Sequence, residues 1–229
     1  MNFLSHFYFD RFTSDPQQVM GIVLPDLLKN ARKEWNIRPE KHEEFYINTD
    51  LKNIYTGWKR HILVDKYFHS SEFFIEHTHK IRTAIEPFLI TSPARSFFVA
   101  HIALELMLDS LLLNENLLNT SSFYSHLENT NKEALSSFFQ INNLLEKQIF
   151  FNFLSEFIDA KYLNTYSAPH KLVYAINRIC MRIWDHPFNE TQKLQLTSVL
   201  IDYQEILQDK YLEIFNDIEK LLTESLSTT

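Results

Sequence analysis

The chain has 229 residues, 45% of them hydrophobic and 22% charged, with a formal net charge of −7. That length can bury a real core, and the acidic balance argues against nucleic-acid partners. Two glycines against 20 phenylalanines leave little material for tight hairpins or phosphate-cradling loops, which argues against Walker-type and dinucleotide-binding sites. Cys180 stands alone, so no internal disulfide and no thiolate metal site is expected, and it reads as a core residue. The N-terminus lacks a basic leader region, and Asp10 and Arg11 interrupt its apolar run. No stretch is read as reaching the ~20 apolar residues of a bilayer span. A cytoplasmic protein without membrane insertion is the expectation.

Nearly every segment reads as helix, and the expectation is a single all-helical domain over residues 1–229, a bundle of the all-α class. Residues 3 to 12 form a short apolar helix. Residues 16 to 34 form a second, with Asp15 as cap and Pro16 in the first turn. Residues 36 to 52 are polar and aperiodic, a loop with a short helical piece. A long helix covers about 53 to 88, with a break near Ser70–Ser71. Ser92 and Pro93 read as cap and first position of a helix running to about 114. Further helices cover about 115 to 128, 131 to 158, 168 to 185 and 190 to 225. The last carries a capping-box pattern at Asn189 and Gln192, and the tail from Thr223 is expected to fray.

Chemistry enters through two stripes. In "GWKRHILVDKYFHSS", His61, Asp65 and His69 recur every fourth residue and so share one helix face. In "VAHIALELMLDSLLL", His101, Glu105 and Asp109 repeat the spacing within an almost wholly apolar segment. A carboxylate buried there must pair, hydrogen-bond or bind a metal. Mixed imidazole and carboxylate ligands suit Zn, Mn or Fe, whereas pure carboxylate sites suit Mg or Ca. Positions i and i+8 lie ~12 Å apart along a helix, so each stripe should give one ion two ligands and send the third side chain elsewhere. His6 and Asp26 add two more ligand-type side chains in apolar settings. His77 and His79 are read on a solvated face, and His42, His126, His170 and His186 receive no role. The phenylalanines are assigned mostly to the core.

The stretches "MNFLSH", "GIVLPD", "GWKRHILVD" and "LELMLDSLL", in that order, resemble the bacterial acyl carrier protein phosphodiesterase family over about residues 1 to 115. The resemblance implies an HD-domain-like, metal-dependent phosphodiesterase that releases 4′-phosphopantetheine from holo acyl carrier protein, with manganese foremost and Mg, Fe or Zn as alternatives. By position it carries over His6, Asp26, His61, Asp65 and Asp109. Glu105 stands where the family often has Asp, and His69 where relatives tend to have Asp. Ile62 and Leu63 replace a pair of arginines found in relatives, and Lys59 and Arg60 lie just before His61. The expected metal set is therefore drawn from His6, Asp26, His61, Asp65, His101 and Asp109. Asp65, His69 and Glu105 are the catalytic candidates, and Lys59, Arg60 and Lys66 the phosphate contacts. The rival readings are a metal hydrolase of another phosphoester, such as a nucleotide or phospholipid head group, and a non-catalytic helical binding protein.

Overall fold

The computed structural model describes residues 1–227, and all their regular structure is helical, with no strand among them. By its internal contacts the chain divides into two compact units, each assembled from separate stretches of sequence. One comprises residues 6–65 and 118–163; the other comprises residues 1–5, 66–117 and the chain from 164 onward.

In the unit holding residues 6–65, α2 (Pro16–Ala31) starts where sequence places it. The Asp15 carboxylate accepts the Gln17 and Gln18 N–H groups, and Pro16 occupies the first turn. Helix α3 (Thr49–Ser70) crosses α2 at the two glycines. A Cβ on Gly21 would lie 2.1 Å from the Ile54 carbonyl oxygen, and one on Gly57 would lie 2.2 Å from that of Gln18. Hydrogen is thus the only side chain either position accepts, and the backbones touch. The polar 36–52 segment holds two 3-10 turns, Pro39–Lys41 and Glu43–Phe45, and α3 begins inside it. Buried Tyr46 pins this loop: its hydroxyl donates to Pro39 O at 3.2 Å and accepts from Asn142 Nδ2 at 2.9 Å. Helix α2 packs on α6 (Thr120–Glu128) and α8 (Lys147–Ala160). The single helix expected over 131–158 is instead α7 (Lys132–Ile141) and α8, because Asn143 turns the chain at φ 59°.

The other unit is built on α4 (Glu72–Ile85), α5 (Ser96–Asn114), α9 (Pro169–Cys180), α10 (Glu190–Gln208) and α11 (Tyr211–Ser227). Helix α5 packs on α4, α9 and α10. It starts at Ser96 rather than at Pro93, although the Ser92 hydroxyl accepts the Ala94 N–H at 3.0 Å while donating to the Pro187 carbonyl at 2.6 Å. By length and apolar composition α5 qualifies as a bilayer span, which corrects the sequence reading. Most of it is buried inside the protein, Asp109 and Ser110 included. The capping box at Asn189 and Gln192 forms. The 190–225 helix divides at Asp209–Lys210 while one face stays buried across the break, through Leu207, Tyr211 and Ile214. The segment expected to fray from 223 is helical to Ser227. The shortest helix, α1 (Phe3–Tyr8), ends four residues before the predicted position.

Candidate metal centre

Two groups of two histidines and one carboxylate assemble, one in each unit. In the first, α1 presents His6 and α3 presents His61 and Asp65. His6 Nε2 lies 3.2 Å from Asp65 Oδ1, and His61 Nε2 lies 3.7 Å from Asp65 Oδ2. The two imidazoles stack with centroids 3.9 Å apart. Both rings are buried, and Asp65 keeps about a third of its side chain exposed. The glycine crossing creates the decisive contact. Because α2 and α3 touch one turn before His61, its Nδ1–H donates to the Ile22 carbonyl at 2.7 Å. In the neutral ring, Nε2 is then a lone pair facing a carboxylate, an arrangement that could hold a cation. Burial, with the nearby His6, holds His61 well below the ordinary histidine pKa, against the opposing pull of Asp65. For Asp65, burial works upward, but the His6 hydrogen bond and the charges of His6 and His61 bring it far below the usual carboxylate range.

The second group joins the C-terminal turn of α3 to α5. His69 Nε2, His101 Nε2 and Glu105 Oε1 form a near-equilateral triangle with edges of 3.0, 3.2 and 3.3 Å. Phe74 packs T-shaped against both imidazoles, at centroid distances of 4.9 and 5.0 Å. The Met1 amino group lies 3.0 Å from the same Glu105 oxygen. Burial pushes Glu105 upward, but that amino group and the hydrogen bonds from His101 and His69 hold it well below its ordinary pKa.

The remaining candidates go elsewhere. Asp109 joins neither group. Its Oδ1 accepts from the Ser5 N–H at 2.7 Å and the Ser5 hydroxyl at 2.6 Å; its Oδ2 accepts from Leu4 N–H at 3.2 Å and Asn2 Nδ2 at 2.9 Å. It caps the first turn of α1 from a residue more than a hundred positions away. Burial raises its pKa to about 7 against those four donors. Asp26 is half-buried on α2, its backbone carbonyl taking the Asn30 amide at 2.9 Å, and it belongs to neither triad. Arg60 pairs with the buried Asp10 carboxylate and donates to Phe9 O at 3.1 Å. Lys59 sits over the Tyr55 ring and 3.5 Å from Glu43, while Lys66 is exposed. His77, expected on a solvated face, is buried, with Nδ1 2.8 Å from the Tyr203 hydroxyl. Cys180 is buried, and burial pushes its thiol to about 12, out of reach as a nucleophile at neutral pH.

Sequence reasoning missed Ile22, Ser5 and Phe74. The first acts through its backbone carbonyl, which no side-chain pattern signals; the polar Ser5 between Leu4 and His6 was the visible clue to the second. Comparison of the chain with protein-family models, curated proteins and solved structures finds no match.

Proposed function

We propose that this protein is a divalent-metal-dependent phosphodiester hydrolase whose ion is held by His6, His61 and Asp65. The observation that carries the reading is the oriented His61 ring. Its Nδ1–H is committed to Ile22, its Nε2 faces Asp65, and His6 Nε2 approaches the other oxygen of the same carboxylate. The donor set fits a borderline first-row ion: two imidazoles favour Mn, Fe or Zn over Mg, and the resemblance to the carrier-protein phosphodiesterases points to Mn. When bound, such an ion supplies a water of lowered pKa and polarises a phosphoryl oxygen.

The protein's own contribution is positional. The Ile22 carbonyl fixes the tautomer and tilt of His61, the stacked His6 ring keeps its Nε2 on the same carboxylate, and burial of both rings keeps bulk water from the imidazoles. Asp65, partly exposed, is the member that reaches solvent and a substrate. The phosphate contacts divide. Arg60 is engaged by Asp10 and reads as a structural cation, so the phosphate contact is assigned to exposed Lys66. An acidic carrier protein would need a basic landing surface, and Lys59 and Arg32 each sit beside a carboxylate, Glu43 and Glu146. Small phosphodiesters are therefore preferred over holo acyl carrier protein as substrate.

The test is hydrolysis of bis(p-nitrophenyl) phosphate by metal-stripped protein with Mn added back. Mn-dependent turnover lost in Asp65→Asn and His6→Ala supports the reading; turnover indifferent to both substitutions, or none with any of Mn, Fe, Zn or Mg, overturns it. Incubation with holo carrier protein, read by the mass of the released arm, decides the finer assignment.

A further inference from the structure

We propose that His69, His101 and Glu105 form a second divalent-cation site of their own, solvent-accessible and suited to a zinc- or iron(II)-class ion. The inference does not depend on the hydrolase reading, because the side chains are different and lie in the other unit.

Three observations carry it. The first is the spacing. Ligand atoms about 2.1 Å from a metal lie ~3.0 Å apart at octahedral angles and ~3.4 Å apart at tetrahedral ones. All three edges of the His69–His101–Glu105 triangle, 3.0 to 3.3 Å, fall in that interval. Three ligand atoms at such mutual distances define one face of a coordination polyhedron and leave its remaining positions open. Two histidines with one carboxylate in a facial arrangement are the donor set of borderline first-row ions.

The second observation is the pair of nitrogens. Both Nε2 atoms, 3.2 Å apart, lie within 3.3 Å of one Glu105 oxygen. One ring can donate its Nε2–H to the other across that gap, and the Met1 amino group lies 3.0 Å from the same oxygen. A cation at the triangle would replace those hydrogen bonds by taking a lone pair from each of the three atoms.

The third is access. The His69 and His101 side chains are 33% and 41% exposed, and Glu105 is 15% exposed. The site opens to solvent on its histidine side, while the carboxylate anchors it from within α5. The Phe74 ring packs T-shaped against both imidazoles. Those features describe an exchangeable site that loads from solution.

The experiment is titration of the full, metal-stripped chain with Co(II), followed by its visible absorption and by equilibrium dialysis, in wild type, His101→Ala, His69→Gln and His61→Ala. His69 and His101 are half-exposed, so their replacement removes little packing, and circular dichroism reports the helix content of each variant. The expected result is one bound equivalent fewer than wild type in His101→Ala and in His69→Gln, with the corresponding absorption lost. In His61→Ala that equivalent stays. Wild-type stoichiometry and spectrum in either helical variant, His101→Ala or His69→Gln, would overturn the proposal. So would a single wild-type equivalent that disappears in His61→Ala.

Discussion

Gly57→Ala is the sharpest perturbation of the crossing that positions His61. In an isolated helix interior the change would stabilise by about 1 kcal/mol. Here the added Cβ would stand 2.2 Å from the Gln18 carbonyl oxygen, and ordinary contact begins at 3.4 Å. The obstacle is backbone, so no rotamer relieves it, and α2 and α3 must separate by about 1.2 Å. A displacement of that size, applied to the 2.7 Å bond between His61 Nδ1 and Ile22 O, takes it beyond hydrogen-bond range. Overpacking of about 1–3 kcal/mol, together with the lost bond at about 1 kcal/mol, outweighs the propensity gain. A net loss of about 2 kcal/mol corresponds to roughly 4–8 °C in a chain of this size. Losing the carbonyl that orients His61 should also weaken metal binding roughly 10–100-fold. The assays are thermal unfolding by circular dichroism and Mn binding by calorimetry. A Gly57→Ala protein as stable as wild type, with unchanged Mn affinity, would refute the claim that close approach of the two backbones sets the site.

Asp109→Asn removes a carboxylate that four donors share and should cost about 1–3 kcal/mol in urea unfolding. Because burial raises Asp109 to about 7 in the fold from 3.8, the unfolded chain ionises first as pH climbs. The wild-type advantage over Asn is therefore greatest below about pH 4 and shrinks towards pH 7; a constant or growing advantage would contradict a pKa raised by burial. Arg60→Ala strips the guanidinium from buried Asp10 and should cost about 3 kcal/mol, the low end for a buried pair because Arg60 is partly exposed. Unchanged stability with a raised KM for the phosphodiester would instead return Arg60 to substrate binding. Tyr203→Phe leaves buried His77 without its hydroxyl partner and should cost about 1–3 kcal/mol. Burial lowers the His77 pKa, so its contribution to stability is present above about pH 6.5 and fades as pH falls below it, which urea midpoints between pH 5 and 8 would show.

The helical class was legible because apolar residues recur at three- and four-residue spacing nearly throughout, and glycine is nearly absent. The stripes were legible too, as was the limit that helix geometry lets each send only two of its side chains to one cluster. In the fold, α3 commits His61 and Asp65 to one group and His69 to the other, while α5 commits His101 and Glu105 together and sends Asp109 to the start of α1. What local pattern withheld was partnership. Asp109 looks like a ligand until residues 2 to 5 arrive with four donors. His77 looks solvated beside Glu76 and His79 until Tyr203 covers it from α10. Ser92–Pro93 has the grammar of a helix start, and the Ser92 hydroxyl does accept the Ala94 N–H, yet the helix begins only at Ser96. The breaks at Asn143 and at Asp209–Lys210 were hidden because the buried face resumes on the far side of each.

Anomalous diffraction at the manganese edge, from crystals of the full chain grown with Mn, addresses the metal directly. The expected result is a peak roughly 2.0–2.3 Å from His6 Nε2, His61 Nε2 and an Asp65 carboxylate oxygen, absent from Asp65→Asn crystals. Well-ordered His6, His61 and Asp65 side chains with no anomalous density among them at saturating Mn would contradict it.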